Sequence, residues 1–286
     1  MKKVIVMMAI AAVAFTNCKK ENGNTSNSET EQLVSNQRIV SLNGAVTEVL
    51  AKIGVANQIV GVDVTSTYPE NIKETAQDLG HVKKIAVEAI LQLKPTLVIG
   101  TSTDFEPEME EQLKNAGVET LIIDQEFTVD GTKKLIASVS EKMNFKSTQE
   151  LFDSIDNQIA SVKISENKPK VLFIYARGAG MLMVAGKGTQ LHNIIELAGG
   201  ENAAAAIEDF KPLTPEALLT NNPDVILMFD KGLESVGGID GVLKIEGIEA
   251  TNAGKNKKII SMDGQFLSGF GPRLGEAVVE LNKLLQ

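Results

Sequence analysis

Hydrophobic and polar positions along this chain fall into blocks that switch between the periods of helices and strands. One block occurs twice, 128 positions apart: residues 87–99 read VEAILQLKPTLVI and residues 215–227 read PEALLTNNPDVIL. In each copy a short apolar helical stretch stops before a proline, Pro95 or Pro223, which cannot continue it, and a β-branched apolar run follows. The pattern predicts helix, tight turn and buried strand, twice. Each copy also carries a glutamate in its first turn, Glu88 and Glu216, where the helix dipole tolerates a carboxylate.

The surrounding periodicity predicts a strand over 38–42, a helix over 47–53 closed by Gly54, a second strand over 58–62 and a polar loop over 63–69. After the first repeated unit come a helix over 107–116 and a strand over 119–124. Residues 130–164 keep helical spacing with no Pro or Gly after Gly131, which predicts one long linking helix. Beyond it lie a strand over 170–175, a glycine-rich turn from Arg177 to Gly180, a short apolar run over 181–185, and a helix that Thr189 caps and that ends at Gly199-Gly200. The second repeated unit is followed by a glycine-punctuated loop over 232–247, a strand over 257–262 and a terminal helix over 274–285. The fold class expected is α/β: two similar lobes, 38–126 and 169–286, each a mainly parallel sheet flanked by helices, joined by one long helix within 127–168. A cleft is expected between the strand ends.

The N-terminus reads as an export signal over residues 1–17. Lys2 and Lys3 precede a twelve-residue apolar stretch over 4–15, too short to span a bilayer, and Cys18 follows at cleavage-site distance. A lone cysteine at that spacing resembles the lipobox of bacterial lipoproteins, in which the cysteine is acylated and becomes the new N-terminus; Asn17 departs from the small residue usual before it. The lipidated tether over 18–37 is rich in Asn, Ser, Glu and Lys and has too few apolar residues to fold. The expected location is the periplasm, the mature protein being held to a membrane by its lipid anchor.

Composition narrows the partner. A net charge of −9, with no basic run, argues against nucleic acid. No nucleophile-base set is recognisable, and Gly186-Lys-Gly188 fails as a phosphate loop because Gly188 stands where Ser or Thr is needed, so the chain is not read as an enzyme. With only two histidines, a zinc or manganese carrier is a poor fit.

Five stretches carry a resemblance over residues 38–285: TSTYP at 65–69, LGHVKKIAVEAIL at 79–91, AGKGT at 185–189 with LAGGENA at 197–203, KPLTPEALL at 211–219, and GFGPR at 269–273. Together they resemble the periplasmic substrate-binding proteins of bacterial ABC importers that have a rigid interlobe helix, and within that class the haem-binding members. The resemblance implies a monomer that captures haem between its lobes and hands it to a permease. It places Glu88 and Glu216 at the positions where such proteins dock onto permease arginines; solvated helix-terminal acids are the plainer reading. The axial tyrosine of the haem-binding members falls at His81, and their neighbouring basic residue at Lys83. Imidazole is a common iron ligand, so His81 is assigned to the metal. Tyr68 is the alternative iron ligand if its loop and that of His81 converge, and otherwise packs beside Pro69. Arg177 is suited to a propionate, Met181 and Met183 to the porphyrin face or the core, and His192 to a helix cap or a distal ligand. Phe270 is expected to stack on a flat ring, and Arg273 either to meet a propionate or to hold its turn. The same scaffold carrying a ferric siderophore or cobalamin, or a surface haem scavenger with no permease, are the alternatives.

Overall fold

Five strands build the first sheet of the computed structural model, which describes residues 37–286. The expected signal segment, Cys18 and nearly all of the tether lie outside the described residues. Strands β1 (Ile39–Ser41), β2 (Ile59–Val62), β3 (Gln77–Asp78), β4 (Leu97–Thr101) and β5 (Glu119–Ile123) lie in the spatial order β3-β2-β1-β4-β5, all parallel. Helices cover both faces, which is why β1 and β4 are unbroken apolar or small runs buried throughout. The chain leaves β1 in one direction and returns to β4 on its other side. That reversal makes the carboxyl ends of β1 and β4 a switch point where loops diverge and leave a crevice.

The second sheet is mixed. Strands β6 (Lys170–Ala176), β7 (Leu182–Ala185), β8 (Glu201–Asn202), β9 (Phe210–Pro212), β10 (Val225–Phe229) and β11 (Ile259–Met262) are ordered β11-β10-β6-β7-β9, with β8 paired to β6. Strands β11, β10, β6 and β8 are parallel, whereas β7 turns back antiparallel on β6 and pairs antiparallel with β9.

Both repeated segments fold as their pattern predicts. Helix Val87–Gln92 leads into β4 and helix Pro215–Asn221 into β10. Each of these strands pairs with the first strand of its own sheet, β4 with β1 and β10 with β6. The residues before the two prolines, Lys94 and Asn222, are both left-handed, at φ 48° and 38°. Proline bars the right-handed helical conformation from the residue before it, and both copies stop in the same way.

Two expectations need correction. The linking segment is not one helix: Val129–Lys142 and Gln149–Ala160 are separate, and Asn144 between them has φ 53°. Asparagine tolerates that left-handed turn, and the Asn144 and Phe145 amides donate to the carbonyls of Glu141 and Ser140, closing the first helix. The first helix buries Leu135, Ile136 and Val139 in the core of the first lobe, while the second packs along the terminal helix Leu274–Leu285. The stretch 232–247 is likewise not a loop, since it contains most of helix Asp230–Ser235 and all of helix Gly238–Leu243, separated at the left-handed Gly237.

Candidate functional site

Loops at the carboxyl ends of β1, β2 and β4 are stitched together by short polar side chains. Asn43 caps helix Gly44–Lys52 by accepting from the Ala45 amide and donates to Asp104 Oδ2 at 3.1 Å. The same oxygen of Asp104 accepts from the Thr101 amide and hydroxyl, each at 2.7 Å. Asp63 accepts from the amide and hydroxyl of Thr65 and from the hydroxyl of Ser66, and Thr65 Oγ1 in turn receives the Gly44 amide at 3.0 Å. Burial pushes the Asp63 carboxyl above its ordinary value, against the hydrogen bonds from Thr65 and Ser66. These bonds hold the Thr65–Pro69 loop on the floor of the first lobe.

A loop from the second lobe closes over this floor. Arg273 makes a two-pronged contact with Glu48, Nη2 to Oε1 at 2.5 Å and Nε to Oε2 at 3.0 Å. The pair is largely removed from water, the two side chains being 15% and 3% exposed. Burial raises the Glu48 carboxyl, and the hydrogen bonds and charge of Arg273 oppose that rise. The guanidinium also lies over the Tyr68 ring, 4.0 Å from its centroid, and 4.8 Å from that of Phe266. Next to it, Gly271 comes so close to the Gly44–Lys52 helix that a Cβ would sit 3.2 Å from Ala45 Cα. Thr132 Oγ1 donates to the Phe270 carbonyl and Gln125 Nε2 to the Gly269 carbonyl, both at 3.0 Å. The GFGPR loop is therefore an interlobe clasp.

The side chain of Arg273 is used on Glu48, which ties its turn to the first lobe. Phe270 is corrected outright. It is 2% exposed and meets Phe127 edge to face at 5.6 Å, within the core of the second lobe. Its backbone has φ 48°, a strained conformation for a bulky residue that this packing overrides.

A cavity of about 260 Å³ opens between the lobes, with Val64, Thr65 and Thr67 on one side and Phe229, Lys231 and Asp263 on the other. Tyr68 adjoins Thr67 at its edge. The Val64 amide donates to the Gly80 carbonyl at 2.8 Å, so the loops of Tyr68 and His81 do converge at their bases. His81 is exposed, at the start of a short turn over Val82–Lys84, and Lys83 pairs with Glu106 at 2.6 Å. Arg177 and Met181 are exposed at the tip of the β6–β7 hairpin, the Arg177 amide donating to the Met181 carbonyl, and Met183 lies within β7. None of these five lines the 260 Å³ cavity. His192 borders a separate cavity with Phe127 and Asn193, and its Nδ1 lies 3.3 Å from Asn202 Nδ2. Glu88 and Glu216 are both exposed in the first turns of their helices.

The model of the family described as periplasmic binding protein matches residues 39–266. The chain belongs to that family. It is a family of binding proteins, which agrees with reading the sequence as something other than an enzyme. Among solved structures, the periplasmic heme-binding protein RhuT from Roseiflexus sp. RS-1 is similar at TM-score 0.84 and 39% identity, over 87% of this chain and 98% of that one. The periplasmic heme-binding protein HutB of Vibrio cholerae matches at TM-score 0.79 and 32% identity, over the same 87% and 98%. An uncharacterized ABC transporter substrate-binding lipoprotein of Bacillus subtilis, YvrC, is 28% identical over 86% of this chain and 78% of its own. The second lobe's mixed sheet and the cleft thus belong to a binding-protein scaffold.

Sequence reasoning missed Glu48 and the Asp63 network. A signal for Glu48 was present: one carboxylate inside the apolar helix GAVTEVLAK needs a buried cation, and the arginine of GFGPR was the candidate. The Asp63 network carries no such signal, because DVTST is also an ordinary polar turn.

Proposed function

We propose that this binding protein is a lipid-anchored periplasmic receptor that takes haem into the interlobe cleft and delivers it to an ABC permease. The likeness to a solved heme-binding protein over 98% of its length, at 39% identity, carries the reading. His81 supplies the iron with an imidazole from an exposed turn beside the cleft, and Lys83 offsets charge next to it. Tyr68, held by the Asp63 network and by Arg273, stands as the second candidate ligand. Arg177 meets a propionate, and Met181 and Met183 offer polarisable contacts to the macrocycle. Glu88 and Glu216, one on each lobe, dock onto permease cations, while acylated Cys18 keeps the monomer at the membrane.

Titration of the purified soluble domain with hemin, followed by its absorption spectrum, tests this. Wild type is expected to give a saturable, ligated spectrum and His81→Ala a changed spectrum with weaker binding. Identical spectra would overturn the role of His81; no binding by wild type would overturn haem.

A further inference from the structure

The two docking helices, alike in sequence, stand in unlike surroundings. Beside Glu216 the second lobe has an open socket of about 530 Å³ that begins at Thr214 and Pro215, the cap and first residue of that helix. Part of its wall is apolar, built from Leu182, Leu213, Val236 and Ile245, side chains packed on the lobe's core. Among the described residues six large apolar side chains are exposed, and two of them, Leu219 and Ile239, stand on the two helices that frame this socket. With the apolar part of the wall they form a surface suited to burial against a partner.

The repeat supplies an internal control. Leu219 lies one turn beyond Glu216 on the same helix face and is 56% exposed. Its counterpart in the first copy, Leu91, is half-buried against the core of its lobe, and the exposed residues flanking Glu88 in sequence, Lys83, Lys84, Ala86 and Gln92, include no large apolar side chain. The socket rim carries Asp240, Glu246 and Lys244, all exposed. With Glu216 that makes three carboxylates against one ammonium, a rim suited to a cation.

Resting on the reading that this protein docks on a permease, we propose that the socket receives an apolar side chain of an external permease segment that also carries the arginine or lysine paired with Glu216. Docking is then mainly electrostatic at the first lobe and partly apolar at the second.

The test uses the full lipidated chain with proteoliposomes holding its permease and ATPase, and reads the concentration giving half-maximal stimulation of ATP hydrolysis. Ala179→Trp, at the exposed socket mouth, and Leu219→Ser are each expected to raise it about tenfold. The loss should persist in high salt, with the unfolding midpoint unchanged. If both variants stay within about twofold of wild type while joint Glu88→Lys and Glu216→Lys weakens stimulation, the socket is overturned and the docking carboxylates stand. If charge reversal also has no effect, the docking reading itself fails.

Discussion

The two lobes share a helix-turn-strand unit yet solve the problem of a ligand-facing edge differently. In the first, five parallel strands end in a small polar network of Asn43, Asp63, Thr65, Thr101 and Asp104 that pins the loops above them. In the second, an antiparallel hairpin and short helices crowd the same edge with apolar side chains, and the GFGPR loop reaches across to the other lobe. The lesson is that one pattern sets a local fold, while its surroundings decide whether its exposed residues meet water, metal or protein.

The largest effect expected from breaking this comparison is on transport. Joint Glu88→Lys and Glu216→Lys should abolish haem uptake by cells or proteoliposomes while leaving hemin affinity unchanged; normal uptake would remove both carboxylates from docking. Next comes the clasp. Glu48→Gln removes the carboxylate paired with the part-buried Arg273 and is expected to destabilise by about 3 kcal/mol in urea unfolding. A cost under about 1 kcal/mol would mean that the pair does not bind the lobes together. A matched substitution in the two copies sharpens the contrast: Leu91→Ser should cost about 2 kcal/mol and Leu219→Ser less than about 0.5, and equal costs would contradict their different burial.

The smallest effect is on pH dependence. Burial raises Asp63 above the ordinary aspartate value of 3.8, so the folded state binds more protons than the unfolded state in the window just above that value. Stability from this group is therefore greatest at the low end of the window and falls as pH rises through it. Asp63→Asn should flatten the fall in unfolding free energy as pH rises above the ordinary carboxylate range, and an unchanged slope would place the effect elsewhere.

Much of this was legible from residues alone because it rests on local rules. Period and proline placed β4 and β10 and their helices; Thr189 accepts the His192 amide as a capping residue should, and the terminal helix runs over Leu274–Leu285 as its spacing required. The linking segment misled because its helical spacing runs on past Asn144, and a residue that tolerates a left-handed turn does not announce one. Phe270 misled for a related reason: a glycine-flanked aromatic looks free to stack, and its burial depends on Phe127, far away in sequence.

By itself, the chain determined the two-lobed α/β class and the repeated unit with its paired glutamates. Those are consequences of periodicity, backbone stereochemistry and residue chemistry, all of which act over a few positions. Only the tertiary structure decided that Arg273 is used on Glu48 and Tyr68, that Phe270 is core, and that Leu219 is exposed where Leu91 is half-buried. The physical reason is that burial and ion pairing are set by what distant segments bring to the same place.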